Sequence, residues 1–206
     1  MNHYPLFLAM ATVTVLSPGP GVLFTLTNSL RYGMRGALGG IAGIALGALV
    51  VAAISATSIG VVLSTSLLAF TIMKFVGAAY LVYLGVRMWL RPAVHLEALA
   101  VERDHRGGFF RRCAEGLSLQ LTNPKAIFFF ISIFPQFIDA SSPYVPQFSL
   151  LVLTYSGLVM LIHYLYACTA ERMKRWLHSP RGGRALSRLG GATFVVFGAM
   201  LASAGR

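Results

Sequence analysis

One cation stands out: Lys125, directly after Asn123-Pro124 and in the middle of an apolar run from about Phe110 to Ile138. An ammonium at that depth in an apolar segment is costly and marks function by default. No Asp or Glu sits at comparable depth, because Glu115, Asp139 and Glu171 all fall near segment ends. Two remedies are open. A bound substrate supplies the negative charge, or Lys125 gives up its proton for part of a cycle. A structural role, bonding to main-chain carbonyls, competes with both. Around it lie Gln120 and Asn123, whose amides can cap a helix or hold a ligand, and Ser17 is open to the same two readings. His163 carries the side chain best suited to exchanging protons near neutral pH, although a lone histidine in an apolar helix also serves as a hydrogen-bonded packing residue. Lys74, with its long stem, is read as snorkelling to an interface. Tyr80, Tyr83, Tyr164 and Tyr166 are read as packing or interfacial aromatics.

These residues belong to two interruptions. Leu16-Ser17-Pro18-Gly19-Pro20-Gly21 lies inside the apolar run from Tyr4 to about Leu30, and Thr122-Asn123-Pro124-Lys125 lies inside the second run. Pro18 and Pro20 have no N–H to return to the carbonyls of Thr14 and Leu16, so each site breaks its helix. In lipid the freed carbonyls need another partner, which confines such breaks to places covered by protein or a watery cavity. Each break creates one half-helix N-terminus, from Gly21 and from Lys125 onward, suited to a carboxylate. Each also creates a C-terminus, around Thr14 to Ser17 and Gln120 to Thr122, whose carbonyls suit an ammonium. An α-amino acid carries both groups, although a simple anion or an inorganic cation also fits half of the pattern. The substrate-binding candidates are therefore Ser17, Pro18, Gly19, Pro20, Gln120, Asn123, Pro124 and Lys125, with Lys125 and His163 as candidates for proton coupling.

The elements that must position them are membrane helices. Of 206 residues, 56% are hydrophobic and 11% charged, about half the charge of an ordinary soluble domain, and mean hydropathy is +0.72. Six runs approach the roughly 20 apolar residues of a crossing: Tyr4 to Leu30, Leu38 to Leu63, Leu67 to Leu90, Phe110 to Ile138, Phe148 to Thr169 and Leu186 to Ala204. Arg31 and Arg35, then Arg87 through Arg112, then Arg172 through Arg188 occupy alternate connections, whereas Ser64 to Ser66 and Asp139 to Gln147 hold no Lys or Arg. Loops rich in Lys and Arg face the cytoplasm, so both termini are expected outside, with Arg206 as an exception to the pattern. Pro18 and Pro124 lie 106 residues apart, near half the chain. Interrupted helices in matching positions of two halves mark a transporter binding site. The expected architecture is all-α: one transmembrane domain over residues 1–206, two inverted three-helix repeats of about 1–92 and 109–206, and a cytoplasmic linker at about 93–108.

Other classes are excluded on the same evidence. The net charge of +11 is accounted for by loop arginines, and no basic patch interleaved with stacking aromatics points to nucleic acid. The N-terminus lacks the basic segment and cleavage site of a signal peptide. Cys113 and Cys168 form neither a metal motif nor an expected disulfide. No HExxH, GxSxG or Walker-type loop is present, so no enzyme, metal or cofactor is expected, and any pumping draws on an ion gradient. Gly39, Gly43 and Gly47, four residues apart, permit close helix packing; this is read as packing within the bundle, with a homodimer face as the alternative.

With these residues in view, the chain resembles the LysE/RhtB amino-acid exporters of bacteria. The likeness rests on Ser17-Pro18-Gly19-Pro20, on Lys74 through Gly85 (KFVGAAYLVYLG), on Gly116 through Leu121, on Asn123-Pro124-Lys125-Ala126 and on Phe134-Pro135-Gln136-Phe137. It implies export of amino acids or close derivatives across a bacterial inner membrane, against protons. Two departures bear on substrate. Gly21 follows the PGP motif where many members carry Asp or Asn, and Leu49-Val50-Val51 stands where many carry a polar residue. Fewer polar groups favour a neutral amino acid, of the threonine, homoserine or leucine kind, over lysine. The alternatives are an exporter of another small solute or metal cation, or a non-transporting membrane protein.

Overall fold

The computed structural model describes residues 4–65, 67–90, 108–139, 141–177 and 179–203, all within helices or the short connections between them. The linker expected at about 93–108 lies outside the described residues, apart from Gly108, and so do both termini. Among the described residues, seven α-helices follow one another: α1 (Tyr4–Leu16), α2 (Pro20–Thr65), α3 (Leu67–Leu90), α4 (Phe109–Leu121), α5 (Pro124–Phe128), α6 (Tyr144–Leu177) and α7 (Pro180–Ser203). A π-helical turn, Phe129–Ile133, and a 3-10 turn, Phe134–Phe137, continue α5. Among the described residues, two helices are long and apolar enough to cross a membrane, Pro20–Ala56 and Tyr144–Ala170. The pair Phe109–Leu121 and Pro124–Phe137, bent by 53°, makes a third if taken as one span.

Both expected breaks are present. α1 stops at Leu16 and α2 starts at Pro20; α4 stops at Leu121 and α5 starts at Pro124. The connection expected over Arg31 to Arg35 is different. Helix continues through it with a single non-helical residue, Gly33 (φ 68, ψ −167), a conformation open to glycine and strained for any side chain. A methyl placed on Gly40 would lie 2.8 Å from the Phe24 ring and 2.9 Å from the Asn28 amide, and one on Gly21 would lie 3.7 Å from Ile44. The two arms of α2 therefore run antiparallel, and one glycine replaces the anticipated loop. A straight helix of 37 residues would extend about 55 Å, well beyond the roughly 30 Å of a bilayer core, so the reversal is what lets this segment fit.

Packing follows the small residues. The second arm of α2 runs parallel to α4: Gly39 meets Phe109, Gly43 meets the Cys113 carbonyl, and Gly47 meets Leu117 and Gln120. Gly116 of α4 returns the contact against the Gly40 carbonyl. The glycine stripe is thus occupied within the chain, as backbone-to-backbone contact in the absence of Cβ atoms. The first arm of α2 runs parallel to α6, with Ser29 Oγ donating to the Ala167 carbonyl at 2.9 Å. α3 runs antiparallel to α7 through Gly85 against Gly191 and Ala78 against Gly198, and Trp89 donates to the Arg188 carbonyl at 3.0 Å.

Beyond the breaks, toward Tyr4, an aromatic plug fills the core. Phe7 meets Phe134 edge-on at 6.0 Å, and Tyr155 lies 4.7 Å from Phe129 and 4.9 Å from Phe130. All five rings are buried. Past the plug, Asp139 fastens the turn into α6 by accepting from the Ser141 amide at 2.9 Å and hydroxyl at 2.6 Å. These bonds hold its carboxyl below the usual carboxylate range.

Candidate functional site

The two breaks meet. Lys125 Nζ donates to the Thr14 carbonyl at 2.8 Å and to the Ser17 carbonyl at 2.9 Å. The Thr14 oxygen is the one Pro18 leaves without its helical donor. Leu16, freed by Pro20, accepts instead from Tyr166 Oη at 2.8 Å. Both carbonyls orphaned by the first break are thus covered from the second half of the chain, one by a cation beside the second break and one by a phenol on α6. The ammonium expected at the C-terminal end of α1 is the chain's own.

Local sequence explains how Lys125 arrives there. Asn123 is the N-cap of α5, its side chain accepting from Lys125 N at 3.1 Å, and Pro124 occupies the first helical position, where a missing N–H costs nothing. Asn123 Nδ2 donates to Gln120 Oε1 at 3.1 Å, which ties the end of α4 to the start of α5. Asn123 therefore serves as a cap, and it also lines the cavities described below. Gly19 allows the approach: a methyl on it would lie 3.3 Å from Lys125 Nζ. Pro18, Gly19 and Ser17 are buried and Pro20 is exposed. Ser17 Oγ is buried with no partner among the described residues.

An ammonium has three donors, two of which go to Thr14 and Ser17. The third has no acceptor among the described residues. Lys125 lines two cavities, and Asn123 lines them with it. The inner one, about 20 Å³, is bounded by Gly21, Gln120, Tyr155 and His163 among others; it has room for about one water and for no amino acid. The other, a side chamber of about 170 Å³, lies where α3 and α7 meet the broken helices and is lined by Leu84, Arg87, Met88 and Phe194 together with Pro20 and Pro124. A larger open groove of about 520 Å³ along Arg111, Glu115 and Thr122 holds none of the candidate residues.

His163 is buried, with Nδ1 2.7 Å from Thr25 Oγ1. Its ring stands beside Gly21, where a methyl would lie 3.2 Å from Cε1. The structure thus brings Ser17, Gly19, Gln120, Asn123, Lys125 and His163 to one junction. The Lys74 side chain lies outside the described residues.

Three participants escaped sequence reasoning. By its sequence Tyr166 reads as a packing or interfacial aromatic, Thr25 belongs to no motif, and Arg87 reads only as loop charge. A carbonyl known to be freed at Leu16 was a signal that some donor must come to it, but nothing along the chain pointed to a residue 150 positions away. Tyr166→Phe is expected to leave the Leu16 carbonyl unpaired and to destabilise the protein by about 1 kcal/mol. A lowered thermal midpoint of the detergent-purified protein is the measurement.

Among the described residues, no cluster of three or more His, Cys, Asp or Glu is placed to hold a metal. A family model described as LysE type translocator matches residues 12–205. The homoserine/homoserine lactone efflux protein of Salmonella typhimurium is 38% identical over 199 residues, covering 96% of this chain and 95% of the relative. That of Salmonella typhi matches equally well. An uncharacterized membrane protein of Vibrio cholerae is 35% identical over 198 residues, 96% of this chain and 95% of its own. No solved structure matches the chain.

Proposed function

The chain belongs to the LysE type translocator family, a family of transporters and not of enzymes, and from that premise we propose that it exports homoserine or a closely similar neutral amino acid from the bacterial cytoplasm. The observation that carries the reading is the junction itself. Lys125 spans from one helix break to the other with one donor to spare, at the wall of a chamber large enough for a small amino acid. In this reading the spare N–H meets the substrate carboxylate, and the Asn123 side-chain oxygen, which also lines the chamber, receives its ammonium. The sparse polarity of the site agrees with a neutral side chain.

The reading includes six crossings in two inverted three-helix repeats within one domain, with both termini outside. The reversal at Gly33 supports it by splitting α2 into two arms. The packing pattern supports it too, because an exchange of the two halves swaps the α2–α4 contact for the α6–α2 contact and returns α3–α7 to itself. The substrate path opens alternately as one repeat rocks against the other. The aromatic plug of Phe7, Phe129, Phe130, Phe134 and Tyr155 serves as the outer barrier, and the π-helical turn, a feature frequent at functional sites, lies within it.

Protons are the proposed coupling ion, with His163 and Lys125 as carriers. His163 lines the inner cavity, hydrogen-bonded to Thr25 through one ring nitrogen and leaving the other for a water. His163→Gln is expected to reduce uptake driven by an imposed pH gradient to the level without a gradient while leaving homoserine–homoserine exchange intact. A variant still responding fully to the gradient removes His163 from the path.

The test of the reading as a whole is uptake of labelled homoserine, threonine, leucine and lysine into inside-out membrane vesicles carrying the protein. Homoserine uptake well above that of empty vesicles is expected, with little for lysine. Vesicles that accumulate none of the four refute it.

A further inference from the structure

We propose that Arg87 is the carboxylate-recognition residue of the side chamber, so that the chamber selects amino acids with a free carboxylate over their esters and lactones. The inference rests on the exporter reading and deepens it.

Three observations converge. The chamber holds about 170 Å³ and the inner cavity about 20 Å³, so a small amino acid fits the first alone. Among the described residues, its lining contains two cations, Arg87 and Lys125, and no carboxylate. Arg87 has no acidic partner among the described residues, and its guanidinium lies 6.0 Å from the Tyr83 ring, a separation at the outer limit for attraction to an aromatic face. Arg87 is exposed and none of its five donors is bonded among the described residues, so a ligand can meet them in the fork geometry that matches a carboxylate. Lys125, committed to Thr14 and Ser17 by two donors, contributes a third from the same lining.

The rest of the lining defines the remainder of the molecule. Leu84, Met88, Phe194, Pro20 and Pro124 give an apolar surface, suited to a neutral side chain and hostile to a second ammonium beside two cations. The Asn123 amide is the one uncharged polar side chain in the wall, placed for a ligand hydroxyl or amine. The ligand class is therefore an α-amino acid with a short, uncharged side chain and an ionised carboxylate.

Homoserine and homoserine lactone separate this role from a general one, since both carry an α-amine and only the first carries a carboxylate. Arg87→Gln keeps a polar hydrogen-bonding side chain, shorter than arginine, without the charge. In inside-out vesicles the variant is expected to raise the KM for homoserine about tenfold, as loss of one charge-assisted contact implies, with the maximal rate within about twofold. The lactone, assayed at slightly acid pH where the ring survives, keeps its wild-type KM. Arg87→Lys is expected to recover part of the homoserine affinity. An unchanged KM for homoserine, or an equal rise for both compounds, overturns the role of Arg87 while leaving export intact. Wild-type vesicles that move neither compound overturn the exporter reading and this inference with it.

Discussion

Lys125→Ala is expected to abolish export while the protein still reaches the membrane. The substitution removes the cation that joins the two breaks and leaves the Thr14 and Ser17 carbonyls without their donor. Charge-assisted bonds of this kind contribute about 1.5–3 kcal/mol each, and 1.4 kcal/mol is a factor of ten. Loss of even one such bond to the transported substrate, added to loosening of the break, predicts a fall in rate of about a hundredfold or more. Transport into inside-out vesicles, normalised to the amount of protein in the membrane, is the measurement. Lys125→Arg is expected to rescue poorly. Gly19 leaves only about a methyl's clearance at Nζ, and a planar guanidinium is wider than an ammonium. Normal export by Lys125→Ala would reduce the residue to a structural clip.

The second large effect concerns the fold that brings the breaks together. Gly116→Val is expected to prevent stable folding. Its Cβ would fall on the Gly40 carbonyl, and the facing Gly43 is pressed equally against the Cys113 carbonyl. These obstacles are backbone, so relief requires α4 to move away from α2. Overpacking of this sort costs about 1–3 kcal/mol, and more where the chain cannot shift. Gly157→Ala, on α6, is the control. Nothing lies within 4 Å of a methyl there, and replacing a helical glycine in open space stabilises by about 0.5–1 kcal/mol. Thermal unfolding of the detergent-purified variants should therefore move in opposite directions. A Gly116→Val protein as stable as wild type would mean that α2 and α4 are not in backbone contact.

The two breaks were legible because proline chemistry is local. A residue without an N–H deprives one identifiable carbonyl, so Thr14 and Leu16 could be named in advance as needing partners. The partners could not. Lys125 comes from 111 residues away and Tyr166 from 150, and nothing local distinguishes a tyrosine aimed at a carbonyl from one packed against lipid. The C-terminal end of α1 was expected to suit a substrate ammonium. It holds the ammonium of Lys125, so the space left for a ligand lies beside that contact. The turn at Gly33 is shorter than the charge pattern implies. Arg31 and Arg35 mark a loop between two helices, whereas one residue at positive φ suffices once the glycines beyond it let the arms close. Arg87 illustrates a further limit. Counting loop charges treats every arginine alike, and only the packing of α3 against α7 places this one at a chamber wall.

The most direct measurement places a thiol where the guest is held. Leu84, half-buried, lines the side chamber, and Leu84→Cys sets a smaller side chain in that wall. With Cys113 and Cys168 replaced by serine, Leu84→Cys is labelled with a small thiol reagent in the presence and absence of homoserine, against Val13→Cys on the exposed side of α1 as control. Homoserine is predicted to slow labelling at position 84 and to leave position 13 unchanged. Labelling at position 84 that ignores homoserine would contradict the claim that a charged guest binds where the two broken helices meet.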